Sequence, residues 1–205
     1  MPAFDEETRA LVRLAATIAA GDETAMRASL SEAFPAVRAD WVEELLLQSY
    51  LFAGFPRALN AAREWRRLTG APAPESDEAD ELWRAGAEWA ARGEATCRAV
   101  YGQAYERLRR NIRTLHPALD AWMITEGYGK VLSRPNLDLP RRELCVIAAC
   151  AAGSHERQLH AHLHGALNVG APAEWVSETL EALSDLIPPA RLDAARRLWM
   201  RVRGK

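Results

Sequence analysis

Cysteine is scarce in this 205-residue sequence: Cys97, Cys145 and Cys150 are the only three, and no C-x-x-C pair occurs among them. So sparse and odd a set excludes a disulfide scaffold or a zinc ribbon and reads as reduced thiols. β-Branched aliphatic residues are also few, 5 Ile and 9 Val against 39 Ala. That bias disfavours strands and favours helices. The longest uninterrupted apolar run, Leu144 to Ala152, has nine residues, about half of what a bilayer-spanning helix requires. No transmembrane helix and no membrane partner are therefore expected. Charge of one sign is lacking too, since 26 Lys+Arg against 28 Asp+Glu leave a net −2. Nucleic-acid binders carry a basic surface, so a nucleic-acid partner is not expected either. The acidic stretch Met1 to Glu7 lacks the basic-then-apolar profile of a secretory signal and predicts a cytoplasmic protein.

What is present is helical periodicity. Apolar residues recur at Leu11, Leu14, Ala15 and Ile18 and again at Trp41, Leu45, Tyr50 and Phe52, while sustained two-residue alternation is missing. The fold class predicted is all-α. Pro and Gly punctuate the helices at Gly54-Phe55-Pro56, Arg134-Pro135, Gly153-Ser154 and Pro188-Pro189.

The chain also resembles itself. Leu11, Leu14, Ala15 and Ala16 fall on Leu144, Ile147, Ala148 and Ala149 at an offset of 133. After one inserted residue, Trp41, Glu44, Arg57, Ala61 and Trp65 fall on Trp175, Glu178, Arg191, Ala195 and Trp199. Two tandem repeats are the reading, with residues 1–70 as a degenerate first copy, 71–77 as a linker and 78–205 as the second copy. Where the second has Glu143, His155 and His162, the first has Ala10, Asp22 and Ser29. Acid/base chemistry is therefore expected in the second copy alone.

Asp138 is placed to cap a helix carrying Glu143, and Ser154 to cap the next one. At roughly 100° per residue, His155, Leu159, His162 and Ala166 fall within one face of that next helix, while His160 and His164 point away. A glutamate on the preceding antiparallel helix could reach the same place. Such a group could move a proton, with the carboxylate orienting an imidazole. The alternatives are a satisfied polar link in the core and a two-His, one-carboxylate metal centre. No cofactor and no metal are the expectation.

The stretch from Arg142-Glu143-Leu144 through His162-Leu163-His164-Gly165-Ala166-Leu167-Asn168-Val169-Gly170 resembles the carboxymuconolactone decarboxylase family of the alkylhydroperoxidase D-like superfamily. Val100-Tyr101-Gly102, Gly127 to Leu132 and Arg134 to Leu137 are similar to its preceding segments. Leu46-Leu47-Gln48 and Ala53 to Asn60 resemble the end of the same domain. The peroxidase branch carries E-x11-C-x2-C-x3-H. Here Glu143 and His162 fit the ends, but the cysteine positions are His155 and Gln158, so thiol peroxidase activity does not carry over.

The decarboxylase branch implies a small anionic lactone that loses carbon dioxide and gains a proton at carbon. In that reading His162 donates the proton, Glu143 orients it, His155 and Gln158 line the substrate, and Arg134 clamps its carboxylate. The resemblance further implies a homo-oligomer, a trimer shaped like a hexameric ring. A peroxiredoxin-like oxidoreductase using Cys145 or Cys150, and a non-catalytic helical assembly, are the alternatives.

Overall fold

The structure is a computed structural model that describes residues 4–72 and 86–204. The linker expected at 71–77 falls, from residue 73 onward, outside the described residues. Helices follow one another without any strand among those described. They are α1 (Glu6–Ala20), α2 (Glu23–Ala36), α3 (Ala39–Thr69), α4 (Gly86–Tyr101), α5 (Tyr105–Leu115), α6 (Pro117–Trp122), a π-helical segment (Met123–Leu132), α7 (Leu139–Gly153), α8 (Glu156–Asn168), α9 (Ala173–Glu181) and α10 (Pro189–Arg203).

Local chemistry sets the boundaries. Asp5, Asp22 and Asp138 accept from the backbone N–H of Thr8, Ala25 and Arg141 at 2.8, 2.8 and 3.0 Å, capping α1, α2 and α7. The break read at Gly54 to Pro56 is a kink rather than a turn. There α3 continues through Gly54, whose φ of 77° and ψ of 161° lie outside the helical region, and a glycine accepts that geometry without steric cost.

One apolar core joins the two ends of the chain. Leu11, Leu14 and Ile18 of α1 pack with Leu144, Ile147 and Ala148 of α7, all fully buried, and Trp41, Trp65, Trp175 and Trp199 close around them. The alanines on α7 let helix backbones approach closely, so each large residue there touches several neighbours. A second cluster, with Cys97, Val100, Tyr105, Ile124, Tyr128 and Leu132, lies under α4, α5 and the π-helical segment. Gly93 and Gly129 allow those elements to meet backbone to backbone. A Cβ at Gly93 would run into the Ile124 carbonyl, and one at Gly129 into that of Trp89.

The two halves of the chain make parallel contacts. Arg57 donates to the carbonyls of Ile18 and Gly21 at the end of α1, and Arg191 to that of Ala152 at the end of α7. The indoles behave alike: Trp65 Nε1 donates to Glu43 and Trp199 Nε1 to Ser177, each at 2.8 Å.

Candidate active site

Glu143 lies in the second turn of α7 and His162 in the middle of α8, and the packing of these helices brings them into contact. His162 Nδ1 lies 2.8 Å from Glu143 Oε2, with the glutamate fully buried and the histidine 5% exposed. The roles in this contact depend on the tautomer: in the one where Nδ1 carries the hydrogen and the carboxylate accepts, Nε2 is the nitrogen free to take or give a proton. The contact needs Gly165. A Cβ there would stand 2.6 Å from Glu143 Oε2 and 2.7 Å from Val100 Cγ1.

Aromatic rings cover the imidazole. Phe52 from α3 and Tyr101 from the end of α4 meet it edge-on at centroid distances of 6.0 and 6.2 Å, and Tyr128 meets Tyr101 at 6.1 Å. Both covering rings are half-buried, whereas Tyr128 is buried. Glu143 Oε1 is buried with no hydrogen-bond partner. An unshared polar atom in the interior costs on the order of 1–3 kcal/mol, more when charged, and such atoms mark places where a ligand or water is to be expected.

The titratable neighbours register the same surroundings. Burial pushes the Cys97 and Cys150 thiols up to about 12, with the Glu143 carboxylate adding to the shift in both. Burial likewise raises the Tyr101 and Tyr128 phenols above the usual range; the Tyr128 hydroxyl partly opposes this at Tyr101, and Glu143 reinforces it at both. Cys145, fully buried on α7, is also held at about 12 by desolvation. A thiol so far above neutrality is not a nucleophile.

Two residues expected at this site, His155 and Arg134, lie elsewhere. His155 is exposed and stands before α8 rather than in it, with φ −93° and ψ 68°. Helical projection does not extend to a residue outside the helix, and for this reason the expected face misplaced it. Ser154, expected to cap α8, instead ends α7 in the left-handed region at φ 61°. The His155 ring rests against Gly153, at a cavity of about 250 Å³ that it shares with Cys150, Leu159 and Arg191. Glu143, His155 and His162 thus form no common cluster, which removes the basis for a two-His, one-carboxylate centre. Gln158 is exposed one turn before His162. His160 and His164 pair with each other, ring centroids 5.0 Å apart.

Arg134 is engaged by Glu44, Nε to Oε2 at 3.0 Å. The same carboxylate accepts from Arg142 Nη2 at 2.8 Å, and Arg142 is fully buried, bonded also to Gln48 and to the carbonyls of Leu137, Arg134 and Pro135. Desolvation pulls the Arg142 pKa down while Glu44 opposes the fall. This network borders an open groove of about 570 Å³ along α3, between Leu47, Tyr50, Phe55, Leu59 and Arg134. Neither Glu143 nor His162 lines that groove.

Sequence reasoning missed Phe52, Tyr101, Tyr128 and Gly165. The stretches Val100-Tyr101-Gly102, Gly127 to Leu132 and His162 to Gly170 contain Tyr101, Tyr128 and Gly165, but only the packing of α4 against α8 and the π-helical segment gives them their places.

The pairing of a buried glutamate with a histidine nineteen positions later falls within a stretch, residues 103–199, that matches the model of the Carboxymuconolactone decarboxylase family. Residues 103–199 belong to the carboxymuconolactone decarboxylase family. A curated relative is similar beyond that stretch: Peroxisomal protein 2 of Schizosaccharomyces pombe (strain 972 / ATCC 24843) is 34% identical over 136 residues, a match covering 66% of this chain and 63% of the relative. The matched part thus spans just under two thirds of that protein's length. The family segment contains Glu143, His162, Tyr128 and Gly165, while Tyr101 and Phe52 come from outside it. No described helix is long and apolar enough to cross a membrane.

Proposed function

We propose that this chain is a cofactor-free proton-transfer enzyme of the carboxymuconolactone decarboxylase type. His162 Nε2 exchanges the proton with a carbon of a small lactone-like substrate, and Glu143 fixes the imidazole tautomer. The observation that carries this reading is the 2.8 Å contact between His162 Nδ1 and a fully buried Glu143 carboxylate. A positioned acid or base of this kind contributes roughly 10²–10⁴-fold to rate.

In the carboxy-lyase form of the reaction, the bond from ring carbon to carboxylate breaks and carbon dioxide leaves. The electron pair stays as an enolate, and the imidazolium Nε2–H returns a proton to carbon before recovering one from solvent. Two assays test the reading: carbon dioxide release from 4-carboxymuconolactone, and deuterium exchange at the carbon beside the carbonyl of γ-butyrolactone. Whichever activity the native chain shows should vanish in His162→Ala. Activity that survives that substitution, or a native chain inert in both assays, overturns it.

Thiol peroxidase chemistry has no support here: burial holds the Cys97 and Cys150 thiols near Glu143 at about 12, and Cys145, elsewhere on α7, likewise. Titrating thiols before and after peroxide should find no loss. Association of three chains is part of the proposal, supported by the exposure of Phe55, Leu59, Leu115, Trp122 and Met200, large apolar side chains that a partner copy would cover. Light scattering should give three times the 22.7 kDa chain mass, and a monomer mass would remove this element.

A further inference from the structure

The positions that carry Asp22 and Arg57 in the first half carry His155 and Arg191 in the second. Both arginines reach back to the end of a helix, but they leave different spaces beside them. Arg57 commits Nε to the Ile18 carbonyl and Nη2 to those of Thr17 and Gly21, and the hollow it shares with Asp22 measures about 30 Å³. Arg191 commits Nη1 alone, to the Ala152 carbonyl. Among the described residues no carboxylate pairs with it, and the rest of its N–H fork is unengaged. The cavity it shares with His155 measures about 250 Å³, room for roughly eight waters at about 30 Å³ each. Neither Glu143 nor His162 lines this cavity.

We propose that the cavity between α7, α8 and α10 is a second binding site, which takes a small monocarboxylic acid with an apolar body and holds its carboxylate on Arg191. A guanidinium presents parallel N–H donors that match the two oxygens of a carboxylate, and such charge-assisted pairs are the stronger hydrogen bonds. The hydroxyl of Ser154 and the imidazole of His155, both at the cavity and both exposed, offer further polar contacts. The remaining wall is apolar, formed by Leu159 of α8 and by Ala194 and Leu198 of α10. Cys150 adds to that wall as a neutral thiol, since burial pushes it up to about 12. Each part of the cavity therefore selects one part of the ligand. A bare inorganic anion would leave the apolar wall uncovered, and an uncharged molecule would leave Arg191 without an anion. Glu156 is the one carboxylate that lines the cavity, and it is exposed, so water screens its repulsion of a bound anion.

Three probes separate the requirements: benzoate, benzamide of the same shape without the charge, and inorganic phosphate with charge but no apolar body. Each is titrated into the full chain while the backbone amides are followed by nitrogen-15 NMR. Benzoate should shift the amides of Ser154 to Leu159 and of Arg191 to Leu198, and should bind roughly tenfold or more tightly than either of the other probes. Arg191→Gln should weaken benzoate by a similar factor. Ala194→Phe, which fills the cavity from a half-buried position on its wall, should abolish benzoate binding, and Glu156→Gln should strengthen it slightly. Benzamide or phosphate binding as well as benzoate overturns the proposal. So do shifts confined to the amides around His162, benzoate binding that survives Ala194→Phe, and silence from benzoate at millimolar concentration. Should Arg191→Gln fail to fold, the three-probe comparison in the native chain and the Ala194→Phe variant still decide.

Discussion

The α1–α2 pair and the α7–α8 pair, aligned at an offset of 133, place apolar residues at matching positions and differ in what they do with polar groups. At the offset of 133, Glu143 and His162 correspond to Ala10 and Ser29. The structure brings both pairs of positions together. Glu143 and His162 touch at 2.8 Å, while Ala10 and Ser29 line one hollow of about 220 Å³ between α1 and α2. The polar capital of the first half is spent on structure, above all on Glu44, which holds Arg134 and Arg142. The second half leaves a buried carboxylate oxygen unshared. On the repeat and proton-transfer readings proposed above, packing geometry is kept while chemistry is confined to one half, because the apolar residues that fix the helices are not the residues that would react.

The largest effects should separate the halves by activity. His162→Ala should lower turnover by about 10²–10⁴-fold, and Ser29→Ala at the corresponding position should leave it unchanged; an equal loss in both would end the contrast. Next comes stability. Glu44→Ala strands Arg142, whose side chain is fully buried, and breaking such a pair costs about 3–5 kcal/mol. Its counterpart Glu178 has a side chain 44% exposed and meets Arg9 only at 3.8 Å, so Glu178→Ala should cost about 0–1 kcal/mol. Urea unfolding of the two variants, compared at equal slope, measures the gap.

How much of this was legible beforehand follows from which interactions are local. The helices, the Asp138 cap and the Glu143–His162 pairing could be read because periodicity and antiparallel packing are set within a short stretch of chain. His155 was misplaced because whether residue 155 lies inside or outside α8 depends on a left-handed Ser154, which nothing in the local pattern requires. Arg134 was assigned to a ligand because its partner, Glu44, is 90 positions away. Phe52 and Tyr101 reach His162 from α3 and α4, and no spacing rule connects those helices to α8.

Gly165 sharpens the comparison at a smaller scale. Replacing a mid-helix glycine by alanine ordinarily stabilises by about 0.5–1 kcal/mol. Here the new Cβ would press on Glu143 Oε2 at 2.6 Å and on Val100 Cγ1 at 2.7 Å, an overpacking that costs about 1–3 kcal/mol. Gly165→Ala should therefore destabilise and should disturb the His162 ring signals. At the corresponding position the first half carries Glu32, which is exposed, and Glu32→Ala should change stability by no more than about 0.5 kcal/mol. A stabilised Gly165→Ala would show that Glu143 has room to retreat, and that its seat against His162 is loose.

The smallest expected difference lies between two indoles in matching places. Trp65 Nε1 donates to the Glu43 carboxylate and Trp199 Nε1 to the Ser177 hydroxyl, both at 2.8 Å. Hydrogen bonds to charged acceptors are worth about 1.5–3 kcal/mol and neutral ones about 0.5–1.5 kcal/mol. Trp65→Phe should thus cost about 1 kcal/mol more than Trp199→Phe in thermal or urea unfolding. Glu43 is also gripped by Arg66, Nη2 to Oε2 at 2.6 Å, so it keeps a donor when the indole is lost. Equal losses from the two substitutions would mean that Arg66 alone satisfies the carboxylate, and that the two tryptophans matter to their halves through packing rather than through the bond each one makes.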